Sequence, residues 1–182
     1  QIPIEDLSGK SDQERQILFG KSYVENTFPI EQLPEELNKA LTEVKYVLVG
    51  LNPGSAGVTV AEEQIFLNFH GKKRSLDYRL AAALYGTEMW GAFMTDLIHI
   101  DESDSNKVTG AEKDVVCLEK HLNELGIPRS AVLVGMGSKS FEALKAHANR
   151  PVAKIPHYSG ANGHWKAEKT RKLIEEIISR YK

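Results

Sequence analysis

The chain has 182 residues, enough for one domain with a substantial buried core. Lys and Arg number 23 against 25 Asp and Glu, a net charge of −2, so no global basic field draws the protein to nucleic acid and any such contact needs a local patch. The single cysteine, Cys117, excludes an intramolecular disulfide framework or a cluster held by several thiolates. With no long apolar run and no leader-like segment, a cytoplasmic protein without a membrane partner is the expectation.

The first element is announced by Ser11-Asp12-Gln13-Glu14, which has the spacing of a capping box; apolar Ile17, Leu18, Tyr23 and Val24 extend the predicted helix to near Thr27. Pro29 and Pro34 bracket a turn, and 35–42 reads as a short amphipathic helix. Residues 46–49 are continuously apolar, the mark of a central parallel strand covered on both faces. Gly50-Leu51-Asn52-Pro53-Gly54 then breaks the strand with a turn that brings backbone close to a ligand. In a doubly wound sheet this is where ligands bind, so Asn52 is a candidate for chemistry as well as an ordinary turn former.

Residues 59–70 read as partly helical and lead to Gly71-Lys72-Lys73-Arg74, the densest basic cluster in the chain. A helix is predicted over 75–85, with Leu76, Leu80, Ala83 and Leu84 on one face, and a strand over 92–98 that empties into the acidic loop 101–104. Residues 111–125 form a further helix, stopped by Gly126 and Pro128, with Cys117 reading as core on its apolar face. A third strand at 131–135 is followed by a glycine turn and a helix through Ala146. A fourth strand at 152–155 precedes the loop from Pro156 to His164, and a last helix runs to Tyr181.

This alternation predicts a single domain over 1–182, a three-layer α/β/α sandwich with a central, mostly parallel four-stranded sheet. Right-handed crossovers bring the strand-end loops to one edge, which allows Asn52, Asp96 and His157 to converge. Gly135-Met136-Gly137-Ser138-Lys139-Ser140 fails both the Walker and the dinucleotide spacing and reads as a tight strand-to-helix turn. The six histidines are scattered without ligand spacing, so no metal and no cofactor are expected. There is no nucleophile-elbow sequence for a serine hydrolase. His157 stands at a strand end in a loop poor in helix formers, where it serves either function or the capping of the next helix.

Taken together, four motifs resemble the uracil-DNA glycosylase superfamily over residues 47 to about 178. Gly50-Leu51-Asn52-Pro53-Gly54 is similar to the first motif of its mismatch-specific and single-strand-selective branches. Ile155-Pro156-His157-Tyr158-Ser159-Gly160-Ala161-Asn162 resembles the second motif, normally His-Pro-Ser followed by a loop that enters DNA. Phe93-Met94-Thr95-Asp96-Leu97 resembles the strand that ends in a base-reading Asn, and Val132-Leu133-Val134-Gly135 with the following helix resembles the glycine-ended strand.

The resemblance implies a metal-free enzyme that flips a base and cleaves its glycosidic bond. It implies that Asn52 holds the attacking water and that His157 hydrogen-bonds the base oxygen as charge develops. Gly50, Leu51, Pro53, Gly54, Phe69, Asp96, Ser159, Gly160 and Asn162 would contact the substrate, with Phe69 stacking on the base, and Lys72, Lys73, Arg74 and Lys166 would meet the DNA backbone. DNA, single-stranded or mismatched, is the implied partner of a monomer. Three departures bear on this. Asp96 stands where the family has Asn; Tyr158 replaces a proline in a loop whose residues 160–163 lack a bulky apolar wedge; and the acidic loop 101–104 would repel phosphate if it faced DNA. Two other readings remain open: a nucleic-acid or nucleotide-binding module that kept the fold, and a hydrolase of small nucleoside-like glycosides.

Overall fold

Strand β1 (Tyr46–Gly50) is buried along its whole length, as its unbroken apolar run requires. It forms the middle of a sheet with β2 (Phe93–Asp96), β3 (Val132–Met136) and β4 (Val152–Ile155) in the order β2-β1-β3-β4. All three pairings are parallel, and the fold class is α/β. The computed structural model describes residues 7–53, 69–99, 107–160 and 162–182; Gly54, the predicted helical stretch 59–68, the acidic loop 101–104 and Ala161 lie outside them. No helix among the described residues is long and apolar enough to cross a membrane.

The chain divides into two compact units. One carries the whole sheet together with α2 (Leu37–Thr42), α4 (Glu112–Glu124) and α5 (Ser138–His147). Val47, Val49 and Leu133 project to one face of the sheet and share a core with Val115, Leu118 and Leu122 of α4 and Ala143 and Leu144 of α5. Leu48 and Val134, which alternate with them, are buried as well. Two glycines make the β3–α5 passage possible. At Gly135 a Cβ would sit 2.7 Å from the Cα of Phe141, so only hydrogen lets α5 close on the strand, and Gly137 caps the helix at φ 89°.

The same unit contains a buried ion pair. Glu119 of α4 accepts from Arg150, both from its guanidinium and from its backbone N–H, and also from the Asn149 N–H at 3.0 Å. Arg150 also donates to Asn123 and to the carbonyls of Ile127 and Pro128. Each guanidinium nitrogen has an acceptor, which is the condition for a buried charge to be tolerated. Cys117 is not core. It is exposed, because α4 buries Val115, Leu118 and Leu122, and a residue two positions after Val115 lies about 200° round the helix.

The other unit packs α1 (Asp12–Lys21), α3 (Asp77–Leu84) and α6 (Ala167–Arg180) against one another. The capping box of α1 is formed as expected, with Ser11 and Glu14 satisfying each other's backbone N–H. The helix stops at Lys21 rather than near Thr27: the Ser22 hydroxyl and N–H both turn back to the Leu18 carbonyl, and Tyr23 leaves to meet Asp77. The helix predicted over 75–85 starts at Asp77, two residues late, because Leu76 adopts a left-handed φ of 65° after a 3-10 turn at Lys73–Ser75. Arg171 of α6 ties the unit together, donating to Asp12 at 2.7 Å and to the Ala82 and Tyr85 carbonyls that end α3.

Candidate active site

The Asn52 turn and Asp96 meet through backbone pairing within the sheet-bearing unit. Gly50 stands opposite Asp96 in the register of β1 with β2. One step on, the Leu97 N–H donates to the Gly50 carbonyl and the Ile98 N–H to the Leu51 carbonyl, each at 2.9 Å, so the two chains leave the sheet side by side. Leu51 also packs on the core cluster, which anchors the root of the turn. The Asn52 amide nitrogen donates to the Pro53 carbonyl at 2.9 Å, so the nitrogen end of the amide is turned toward its own backbone. Gly54, the last glycine of the motif, lies outside the described residues.

Asp96 is only 4 % exposed, and its Oδ2 has no hydrogen-bond partner among the described residues. Removal from water disfavours the ionised form, and burial pushes this carboxyl up to about 7. A native fold rarely leaves a buried carboxyl oxygen unanswered, and such groups concentrate at functional sites. Near neutrality the group is shared between two forms: an acid that both donates and accepts, and a carboxylate that only accepts.

His157 belongs to the helical unit and follows the last residue of β4 by two positions. Its Nδ1 accepts from the Ser159 N–H at 3.0 Å, so the ring carries its proton on Nε2. Burial lowers its pKa, which keeps the imidazole neutral near pH 7. Tyr158, which replaces the expected proline, is buried and stacks on the His157 ring with centroids 4.6 Å apart. The Asn162 amide donates to the His157 carbonyl at 3.3 Å, its N–H donates to the Ser159 carbonyl at 3.0 Å, and the Trp165 N–H donates to the Asn162 carbonyl. Asn162 holds the His157 backbone, and Ser159 sets the tautomer. Gly160 is exposed and close to the Leu76 side chain.

Sequence reasoning overlooked two residues of this framework. Trp165 is buried with its indole N–H directed at the Pro156 carbonyl at 3.4 Å; a tryptophan in a glycine-rich loop is the readable signal, since its N–H needs a partner once buried. Ser140 is the other. Its hydroxyl is buried and donates to the Val49 carbonyl at 2.8 Å, fastening α5 to the strand that carries Asn52. Lys139 donates to the Val108 carbonyl, and Ser138 accepts from Lys154. The polar groups of 135–140 are therefore engaged within the protein, in keeping with a structural turn.

The basic cluster lies in the helical unit and is partly spent. Lys72 pairs with Glu25 at 3.3 Å, and the same carboxylate accepts from the Lys73 N–H at 2.9 Å. Lys73, Arg74 and Lys166 present exposed side chains, and Phe69 is half-buried. Among the described residues no group of three His, Cys, Asp or Glu side chains is arranged to hold a metal ion. In comparisons with known proteins, no family model, curated protein or solved structure matches this chain.

Proposed function

We propose that the chain is a hydrolase of N-glycosidic bonds of the uracil-DNA glycosylase type, acting on a flipped, damaged or deaminated base. One observation carries the reading: a buried carboxyl, Asp96, whose Oδ2 has no partner among the described residues, in register with the first residue of a Gly-Leu-Asn-Pro-Gly turn at the carboxyl end of a central parallel strand. The fixed tautomer of His157 supports it, because a neutral ring with Nε2–H donates to a developing anion without first losing a proton.

In the reaction, the oxygen of water bonds to the sugar C1′ as the C1′–N bond breaks, the base leaves with the electron pair of that bond, and the water sheds a proton to solvent, from which the departed base takes one up. Asn52 accepts a hydrogen bond from the attacking water through its amide oxygen. The Nε2–H of His157 donates to the base oxygen on which charge collects. Asp96 reads the base edge. In its acid form it donates to a ring carbonyl and accepts from the adjacent N–H, the pattern of uracil; once ionised it repels that carbonyl. Phe69 supplies the stacking face, and Lys73, Arg74 and Lys166 supply phosphate contacts. The reading goes with a monomeric, cytoplasmic enzyme of base-excision repair on single-stranded or mismatched DNA.

The Lys72–Glu25 pair favours a second reading, hydrolysis of a small nucleoside-like glycoside, because it removes a cation from the densest basic cluster of the sequence. A single-turnover screen separates the two. Oligonucleotides carrying uracil, hypoxanthine, xanthine or mismatched thymine are compared with the free nucleosides across a salt series. Cleavage of an oligonucleotide that weakens steeply with salt supports the glycosylase. Salt-insensitive cleavage of a nucleoside supports the second reading, and cleavage of neither class overturns both.

A further inference from the structure

His70 makes two hydrogen bonds that a neutral imidazole cannot make together. Its Nδ1 lies 2.8 Å from Oδ2 of Asp77, and its Nε2 lies 2.7 Å from the carbonyl oxygen of Val24. Both partners are acceptors, so both ring nitrogens must carry protons, and only the imidazolium has two. The three residues come from separate stretches of the helical unit. Val24 lies in the connection after α1, His70 follows Phe69, and Asp77 opens α3.

The surroundings are arranged for the charged ring. Asp77 accepts on its other oxygen from the Tyr23 hydroxyl at 2.6 Å and the Ser75 hydroxyl at 2.8 Å. The Tyr23 ring lies against the imidazole with centroids 4.5 Å apart. Among the described residues, Glu25 acts on the Tyr23 that packs on the ring, and Lys72 and Arg74 act on Glu25. Beside them, the Asn26 N–H donates to the Gly71 carbonyl at 3.0 Å, so the chain around Val24 and the chain around His70 are joined twice. The constellation is not a catalytic relay, since the nitrogen a nucleophile would need is already held by backbone.

We propose that His70 is a pH-operated latch: as imidazolium it clasps the post-α1 connection to the start of α3, and loss of its proton releases the Val24 carbonyl. The neutral ring keeps one N–H, and the stronger acceptor, Asp77, retains it. A lone pair then faces the Val24 oxygen, and the clasp opens. The Asp77 hydrogen bond, opposed in part by burial and aided by the Val24 carbonyl, raises the His70 pKa above 6.5. The stabilisation is therefore complete below the ordinary imidazole range and is lost as pH rises through the raised value. The latch is independent of the chemistry proposed for Asn52 and His157.

The test is a pH titration of histidine side chains by nitrogen-detected NMR, with amide exchange of Asn26 followed in parallel. Both ring nitrogens of His70 are expected to be protonated near neutral pH, and exchange at Asn26, corrected for intrinsic rate, is expected to rise about tenfold across the His70 transition. Asp77→Asn should lower the His70 midpoint, and His70→Gln should abolish the pH-dependent step in exchange. A singly protonated His70 at neutral pH, or a step that survives His70→Gln, overturns the proposal. If either variant fails to fold, the wild-type protonation state decides alone.

Discussion

Asp96 stands directly opposite Gly50 in the sheet, so the one buried carboxyl with an unpartnered oxygen among the described residues sits beside the root of the Asn52 turn. The cost of holding it there depends on pH. Its pKa is raised from 3.8 to about 7 by burial, so the folded state binds a proton more tightly than the unfolded chain. The contribution of this one group to stability is largest below the unfolded value and declines as pH rises towards about 7, by roughly 4 kcal/mol at most. Asp96→Asn should remove that decline and leave the variant more stable than the wild type in alkaline buffer. Urea unfolding at several pH values checks it; parallel declines in both proteins would show that Asp96 is not the group responsible.

The same substitution separates recognition from stability. If the proposed activity is found on uracil, wild-type cleavage should fall as pH rises through about 7, the value to which burial pushes Asp96. Asp96→Asn should flatten that dependence, because an amide donates and accepts at every pH. Single-turnover rates at matched folded fractions provide the measurement.

His157→Ala should lower single-turnover glycosidic cleavage by about two orders of magnitude, the usual cost of losing a transition-state contact. Ser159→Pro removes the N–H that holds Nδ1 and should disturb the tautomer. The readout is the ring-nitrogen NMR signature of His157, expected to show a proton on Nε2 alone in the wild type. An activity unchanged in His157→Ala would refute the assigned role.

Glu119→Ala should destabilise the protein by about 3–5 kcal/mol, since it strands the buried Arg150 guanidinium. Replacing both residues by apolar ones of similar volume should cost less than the single change. A denaturation cycle on the four proteins tests this, and a double-variant loss equal to the sum of the two single losses would mean that the pair is not coupled.

Gly135→Ala should cost more than about 2 kcal/mol, because the added methyl meets the Phe141 backbone rather than a movable side chain. Thermal unfolding measures the loss. A neutral result would require α5 to move off the sheet.

Local patterning made most of the elements legible. The unbroken apolar runs of β1 and β3 identified buried parallel strands, and the capping-box spacing located the start of α1, because both signals act between near neighbours. Where the reading failed, distant residues had decided. Tyr23 looked like the next helical turn, yet its hydroxyl is drawn to Asp77, 54 residues away. Cys117 lies in an apolar run, but the stripe that α4 buries was chosen by which side faces the sheet. The candidate residues Asn52, Asp96 and His157 were nameable from their strand-end positions. That Asp96 is buried with an unanswered oxygen, that Ser159 sets the His157 tautomer, and that His70 must hold two protons were not. Burial and hydrogen-bond partners are properties of the packed chain, and residue type alone carries neither.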